Sequence, residues 1–381
     1  MKIVYVLPTI APNRGAERII TEKANYLTKN FGYIVYIINL FQDDETTNSY
    51  PLSHDVQQIN LGIPNHTQYY YKYPKRLWKK IIINHNLQKK LYQKIHSIEP
   101  DIIIGVSYSK AELVCKIPYN AKKVIECHEP RLLGTSKIIN GSFISKFYAK
   151  HYYFRTIEKK ADAVVTLTNE DKYLWNKAKR VEVIPNFSSM YITQYSTCEE
   201  KRVIAVGRLC EEKGFERLIN IWRTNPSKYS DWQLVIYGEG YLKTKLATLI
   251  NTNHLNNVFI RGNTNNISKE YAASSICVVS SYFEGFSLVT LEAMRHGVPC
   301  VAFNCPYGPA NIIKDNQCGF LIDNNNNALF AEKLCLLIDD SDLRKRFSHN
   351  CLERAKQFDV GNIMNHWKAL FEGLYTELHG Q

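Results

Sequence analysis

The 381-residue sequence has no run of about 18 apolar residues, which is the shortest length that could cross a bilayer as a helix. Its N-terminal stretch, Met1–Pro8, is too short for a signal peptide and predicts a first strand instead. The ten cysteines form no C-x2-C pair, and no histidines cluster near them, so a zinc site is not indicated. The dinucleotide-binding pattern G-x-G-x-x-G is also missing, which argues against NAD. These absences predict a cytoplasmic chain with no metal and no bound cofactor.

Acidic residues are missing where basic ones cluster. The formal net charge is +12, and the stretch from Asn65 to Ile98 contains eight Lys or Arg but no Asp or Glu. Trp78 and several tyrosines lie in the same stretch, and a second basic and aromatic stretch runs from Phe143 to Arg155. Such mixtures suit an anionic membrane surface. A solvated helix with its aromatic residues in the core, or a nucleic-acid site, is the alternative. We favour the membrane surface and expect no nucleic acid.

Short apolar segments alternate with helical patterns in each half of the chain, which predicts parallel sheets covered by helices. The predicted strands are Lys2–Leu7, Ile34–Leu40, Asp101–Val106, Lys123–Cys127 and Ala163–Leu167, then Arg202–Val206, Gln233–Tyr237, Val258–Arg261, Ile276–Ser280 and Pro299–Phe303. Helices are predicted for Ala16–Thr28 and Ile81–Ile95. The fold class is therefore α/β, with two Rossmann-like domains facing a central cleft.

The polar, aperiodic stretch Met190–Lys201 predicts a linker between these domains. We place an N-terminal, acceptor-binding domain at residues 1–188 and a nucleotide-sugar-binding domain at 189–357. Residues 358–381 carry one apolar stripe that includes Ile363, Trp367 and Phe371, which predicts a helix that packs across the junction and returns to the first domain.

Two glutamates eight positions apart, Glu284 and Glu292, flank a Gly-Phe-Ser turn before a helical pattern. Gly285 permits a close backbone approach, and the helix start at Phe286, Ser287 and Leu288 offers N–H groups to an anion. At about 1.5 Å rise per residue the two carboxylates are on the order of 10 Å apart. One could hold a sugar and the other a ribose, with a pyrophosphate between them.

Arg208 and Lys213 leave the first strand of the second half on one loop, where two cations can hold two phosphates and stabilise them as they leave. Gly15 lies at the first strand-to-helix turn, and there it can let the backbone approach a phosphate.

Three further strand ends are candidates for ligand contacts. His128 follows a strand of the first half and could bind a substrate hydroxyl or a developing charge. Gly238, Arg261 and Gly262 follow strands of the second half and could border a nucleobase. The Asp340-Ser341-Asp342 sequence has a D-x-D spacing, but helix capping explains it better than metal binding.

These motifs resemble the retaining glycosyltransferases of GT-B fold known as family 4. The resemblance extends over nearly the whole chain and is carried by three runs: Gly207-Arg208-x4-Lys213-Gly214, Glu284-x7-Glu292 and Tyr307–Ile313. It implies that Glu284 binds hydroxyls of the donor sugar and Glu292 the ribose. It also implies that Arg208, Lys213 and Gly15 serve the diphosphate, that His128 lies beside the cleft, and that no metal is needed. The chain departs from the family pattern at Arg14, Glu129 and Asn311.

The sequence therefore predicts a retaining, metal-independent glycosyltransferase that uses a nucleotide-diphosphate sugar, with UDP as the favoured carrier. The acceptor is expected to be an oligosaccharide or a lipid-linked sugar of a bacterial envelope polysaccharide (O-antigen, lipopolysaccharide or capsule). The enzyme would work in the cytoplasm, attached peripherally to the inner face of the membrane through residues 65–98. A sugar-nucleotide epimerase or phosphorylase of the same fold, or a non-catalytic nucleic-acid-binding protein, is the alternative.

Overall fold

A computed structural model describes residues 1–11, 14–72, 74–106, 111–131, 152–225 and 229–380. Within these residues the chain forms two compact units. Unit 1 comprises Met1–Pro185 with Ile363–Gln381, and unit 2 comprises Asn186–Asn362. The sequence-based boundaries at 188 and 358 lie within a few residues of these divisions.

Unit 1 is built on a seven-stranded parallel sheet in the order β3-β2-β1-β4-β5-β6-β7. Its strands are β1 (Lys2–Leu7), β2 (Ile34–Asn39), β3 (Gln57–Asn60), β4 (Ile102–Val106), β5 (Lys122–Glu126), β6 (Ala163–Thr166) and β7 (Val181–Val183). The central strands β1 and β4 are almost fully buried, as expected for a sheet that is covered on both faces.

Unit 2 contains a six-stranded parallel sheet in the order β10-β9-β8-β11-β12-β13. Its strands are β8 (Arg202–Val206), β9 (Gln233–Tyr237), β10 (Val258–Gly262), β11 (Ile276–Val279), β12 (Cys300–Asn304) and β13 (Gly319–Asp323). In both sheets the chain first adds two strands on one side of its first strand and then adds the remaining strands on the other side, as in Rossmann sheets. In unit 2 this switch point lies between β8 and β11.

Helices connect the strands of each sheet. In chain order they are α1 (Gly15–Phe31), α2 (Lys75–Ile98), α3 (Ala111–Val114), α4 (Phe154–Lys160), α5 (Asn169–Lys172), α6 (Phe215–Trp222), α7 (Lys243–Thr252), α8 (Ile267–Ala272), α9 (Leu288–Arg295), α10 (Asn327–Asp339), α11 (Ser341–Ala355) and α12 (Val360–His379). No helix in the described part of the chain is both long enough and apolar enough to span a bilayer.

All ten strands predicted from the sequence are present, with ends that differ by one residue at most. The predicted strands do not include β3, β7 and β13, each of which lies at an edge of its sheet, and β3 is also polar. It also started α2 six residues too late, because the first turns of that helix carry basic residues rather than a buried stripe.

The C-terminal helix α12 packs against unit 1 from Ile363 onward. Its predicted apolar stripe, which includes Ile363, Trp367 and Phe371, is buried. Glu377 on this helix pairs with Lys122 at 3.0 Å and with Arg180 at 2.7 Å. The last turns of the chain are therefore an integral part of the first unit.

Candidate active-site residues

The candidate donor site of unit 2 begins at the carboxyl ends of β8 and β11. These two strands are paired in parallel, so the loops that follow them emerge side by side at the switch point. Open α/β sheets bind ligands at this position. The loop after β8 carries Lys213, and the loop after β11 carries Glu284, so the topology brings together two residues that lie 71 positions apart.

Lys213 and Glu284 form a two-pronged ion pair. Lys213 Nζ donates to both carboxylate oxygens of Glu284, at 2.7 and 2.8 Å. Ser281 Oγ donates to Glu284 Oε1 at 2.7 Å. Both charged side chains are mostly buried, and a charge-assisted pair in such a place is stronger than one in water. The site therefore holds a fixed cation and a fixed anion in direct contact.

Arg217 supports this pair and was not identified from the sequence. Its guanidinium, on α6, donates to the carbonyl oxygens of Ser280 and Ser281 at 2.8 Å each. It also donates to the carbonyl and side-chain oxygens of Asn324, at 2.7 and 3.0 Å. Burial lowers the pKa of Arg217 to about 10, which leaves it charged at neutral pH. The residue thus fixes the backbone three positions before Glu284.

Two strained turns border Glu284. Ser287 and Tyr307 adopt left-handed backbone conformations, with φ of 66° and 63°. Such conformations cost a non-glycine residue on the order of 1 kcal/mol or more and concentrate at functional sites. Next to Tyr307, Gly308 approaches Glu284 so closely that an added Cβ would lie 2.8 Å from the Glu284 Cβ. The start of the Tyr307–Ile313 run therefore lies directly against Glu284.

Helix α9 begins at Leu288, and the Ser287 side chain does not cap its backbone. The Ser287 hydroxyl instead meets the Thr290 hydroxyl at 2.7 Å. Glu292 lies on the second turn, as predicted, and it is buried, with the Tyr271 hydroxyl donating to its carboxylate at 3.3 Å. Gly285 and Phe286 complete the turn before the helix, and Phe286 is buried in edge contact with Phe358.

The glycine turns after β8, β9 and β10 meet one another. Gly238 N donates to Gly262 O at 2.8 Å, and a Cβ on Gly238 would lie 1.9 Å from Gly207 O. A side chain at Gly238 would therefore force these turns apart. Arg208 and Arg261 are exposed near these turns. Arg208 has no side-chain hydrogen bond or ion pair within the described ranges.

Gly15 and His128 belong to unit 1. Gly15 is the exposed first residue of α1. His128 is buried two positions after β5 ends, and its Nε2 lies 2.8 Å from Glu126 Oε1. The second basic and aromatic stretch, Phe143–Arg155, lies mostly outside the described residues.

No group of three His, Cys, Asp or Glu side chains in the described portions is arranged to hold a metal ion. The capping interpretation of the D-x-D sequence is confirmed, because Asp340 Oδ1 accepts from Leu343 N at 2.8 Å at the start of α11. The ten cysteines are free thiols, and nine of them are buried.

Comparison with known proteins identifies a group of related chains. Residues 196–354 match the family model described as glycosyl transferases group 1. An uncharacterized glycosyltransferase of Haemophilus influenzae is 28% identical over 97% of this chain and 99% of its own length. One from Methanocaldococcus jannaschii is 30% identical over 74% of this chain and 82% of its own. A Campylobacter jejuni transferase, named for adding α-1,4-N-acetylgalactosamine to a sugar-diphospho-undecaprenol, is 23% identical over 97% and 98%.

Solved structures share the fold at low sequence identity. Sucrose-phosphate synthase from Thermosynechococcus elongatus superposes with a TM-score of 0.81 at 18% identity, over 99% of both chains. A mutant of S. aureus TarM, solved in complex with fondaparinux, α-GlcNAc-glycerol and UDP, gives a TM-score of 0.77 at 18% identity over 97% of this chain and 99% of its own. The predicted fold class, two Rossmann-like α/β domains of the GT-B type, is confirmed.

Proposed function

The chain belongs to the glycosyl transferases of group 1, and on that premise we propose that it is a retaining glycosyltransferase. It moves a hexose or N-acetylhexosamine from a nucleotide-diphosphate sugar to an oligosaccharide or lipid-linked acceptor of a bacterial envelope polysaccharide. The observation that carries the proposal is the ion pair between Lys213 and Glu284 at the switch point of unit 2, at 2.7 and 2.8 Å. UDP is the first nucleotide to test, since TarM was solved with it.

Lys213 and Arg208 supply the positive charge for the diphosphate. The diphosphate competes with Glu284 for the Lys213 ammonium, and its arrival frees the Glu284 carboxylate to accept hydrogen bonds from sugar hydroxyls. The charge of the diphosphate grows as the bond to the sugar breaks, so these cations stabilise the transition state more than the ground state. No metal is required for this step in the proposal.

Fixed geometry provides the rest of the rate enhancement. Because the acceptor hydroxyl arrives on the face that the diphosphate leaves, the protein must hold both partners close and aligned. Arg217 and Ser281 keep Glu284 in place through the contacts already described. Glu292 is assigned to the ribose, and His128 to a substrate hydroxyl.

A donor screen tests this assignment. Purified protein is heated with UDP-, GDP- and ADP-sugars, and any stabilising donor is then incubated with and without lipid-linked and soluble acceptors. Stabilisation by one nucleotide class and acceptor-dependent release of the diphosphate are expected. Donor turnover without an acceptor would instead identify an epimerase or a hydrolytic activity, and no stabilisation by any donor would refute the proposal.

Two lysines make a matched pair of variants for this screen. Lys213→Gln should abolish the donor-induced stabilisation. Lys243→Gln should retain it, because Lys243 pairs with Glu239 at 2.8 Å on the exposed surface of the same unit. Equal donor responses from the two variants would show that the loop after β8 is not at the diphosphate.

We also propose that residues 65–98 attach the enzyme to an anionic membrane. The buried side of α2 is formed by Ile83, Leu87, Leu91, Ile95 and Ile98. Its first two turns point apolar side chains outward, since Leu77, Ile81 and Ile82 are about half exposed and Trp78 is 67% exposed. Tyr70 and Tyr71 are exposed as well. Tyr70, Tyr71 and Trp78 thus lie outside the core, next to lysines that can bind anionic headgroups.

Vesicle sedimentation tests the membrane proposal. Each Lys or Arg near an anionic leaflet contributes on the order of 1 kcal/mol within a Debye length of about 8–10 Å. Binding should require anionic lipid and weaken with salt. The test variant replaces five basic residues with Gln: Lys72, Lys75, Arg76, Lys79 and Lys80. The control makes the same charge change at exposed lysines of unit 2: Lys201, Lys243, Lys245, Lys345 and Lys356. Equal sedimentation of both variants would refute the assignment.

A further inference from the structure

A buried charged cluster lies inside unit 1, beneath His128. Lys23 on α1 and Glu126 at the end of β5 form an ion pair whose side chains are 1% and 2% exposed. Glu126 is the last residue of β5, and His128 follows it by two positions in the bend after the strand. Lys23 Nζ and His128 Nε2 both contact the same oxygen, Glu126 Oε1.

The surroundings hold Lys23 and Glu126 in their charged forms. Burial lowers the pKa of Lys23 to about 8 and is partly offset by Glu126, and the ammonium lies 3.6 Å from the centre of the Trp367 ring. Burial alone would raise the pKa of Glu126, but Lys23 and His128 outweigh it and lower that pKa to about 2. Glu126 is therefore a carboxylate at neutral pH.

The position of this carboxylate constrains the imidazole. His128 Nε2 lies 2.8 Å from Glu126 Oε1, although the ring is not aligned for an ideal hydrogen bond. A bare Nε2 at that distance would set its lone pair close to a carboxylate oxygen, so the contact favours a proton on Nε2. His128 Nδ1 is buried and has no hydrogen-bond partner in the described part of the chain.

We propose that Glu126, held in place by Lys23, is a positioning residue that fixes His128 as the Nε2-protonated tautomer and reserves Nδ1 as the acceptor for a substrate hydroxyl. The inference rests on the proposed function only for the identity of that hydroxyl. An unprotonated Nδ1 can accept a hydrogen bond from a substrate hydroxyl without first losing a proton of its own. Lys23 prevents Glu126 from being an uncompensated buried charge, which would otherwise be costly.

Nitrogen-15 NMR of the full-length protein, labelled at histidine, tests the tautomer directly. The His128 resonances are assigned with an H128Q variant. Wild type should show a protonated Nε2 and an unprotonated Nδ1. In E126Q the glutamine amide can either donate to Nε2 or accept from it. The preference for the Nε2-protonated tautomer should therefore disappear, and the chemical shifts of the two ring nitrogens should move toward each other. Glu158→Gln is the matched control, since Glu158 is another buried carboxylate of unit 1, paired with Arg131 at 2.6 Å; it should leave the His128 pattern unchanged.

Kinetics provide the second measurement. E126Q should lower kcat roughly 10- to 150-fold, as expected for loss of a hydrogen bond to a charged group, while the donor Kd stays unchanged. The double variant K23M/E126Q leaves no unpaired buried charge. It should fold like wild type and still show both the altered resonances and the lowered kcat.

The possible outcomes separate the two proposals. An unchanged His128 pattern in folded E126Q or K23M/E126Q would overturn the positioning role whatever the activity. An altered pattern with wild-type kcat would also overturn it, because Nδ1 would then serve no substrate. If wild type transfers no sugar from any donor, the proposed function fails, and the tautomer measurement alone decides the role of Glu126.

Discussion

Replacing Arg217 with methionine should destabilise unit 2 more than any exposed arginine replacement. Methionine retains most of the aliphatic stem but removes all donors to Ser280, Ser281 and Asn324. It also removes the cation that lies 3.6 Å from the Phe303 ring centre. Four oxygens would lose this donor: the carbonyls of the buried Ser280 and Ser281, and two oxygens of the half-buried Asn324.

The size of the effect can be worked from these contacts. A buried acceptor that loses its donor costs about 1–3 kcal/mol, and two of the four acceptors are buried and two half-buried. Some of the four oxygens will be hydrated in the variant, so about 3–5 kcal/mol is the expected loss. A domain of this size loses roughly 2–4 °C per kcal/mol, which predicts a fall of about 6–20 °C in its melting temperature.

Calorimetry of the full chain measures this loss, with Arg223→Met as the matched control. Arg223 follows the same helix, but it is exposed, and among the described residues its side chain makes one hydrogen bond, to Asn253 at 2.7 Å. Hydrogen exchange of residues 276–287 reports on the strand end that Arg217 holds, and it should accelerate only in R217M. If R217M and R223M melt at the same temperature, Arg217 does not support the Glu284 loop.

Four further outcomes are expected. Glu292→Ala should raise the donor Kd about 10- to 150-fold, the cost of a hydrogen bond to a charged group, and an unchanged Kd in titration calorimetry would contradict the ribose assignment. Lys213→Ala should reduce kcat more than it weakens binding of the free nucleoside, because leaving-group charge grows in the transition state; wild-type kcat in steady-state assays would argue otherwise. Activity should persist in EDTA, and a loss that Mg²⁺ or Mn²⁺ restores would overturn metal independence. The pKa of Glu126 is lowered from 4.5 to about 2, so its stabilisation is present above about pH 4.5 and disappears as the pH falls toward 2; the free energy of unfolding should therefore fall less steeply with acid in E126Q, and parallel curves would refute this.

The sequence was most informative where a strand end and a distinctive motif coincide. Lys213 and Glu284 could be predicted to act together because each follows a strand, and because ends of neighbouring parallel strands converge. Their direct pairing could not be predicted, since a motif shows which side chains reach a ligand but not which of them contact each other without it.

Arg217 escaped prediction for a different reason. Three of its four acceptors are backbone carbonyls, which any sequence provides, so no pattern of residue types marks these contacts.

The sequence did contain a signal for the buried cluster of Lys23, Glu126 and His128 in unit 1. Lys23 lies on the buried stripe of α1 with Ile19, Ile20 and Leu27, where a lysine needs an anionic partner. That partner, Glu126, is 103 positions away and could be identified only from the structure.

The division of unit 1 into two segments has a consequence for the order in which the protein is synthesised. The ribosome releases all of unit 2 before it reaches the segment Ile363–Gln381 that completes unit 1. Until Trp367 emerges, the Lys23 ammonium lacks its aromatic cover, and the surface that will receive α12 stays open to other apolar chains. The first unit to be translated is therefore the last to be finished. A premature stop near the end of the message would remove part of unit 1, at the N-terminal end of the chain, and leave the residues of unit 2 complete.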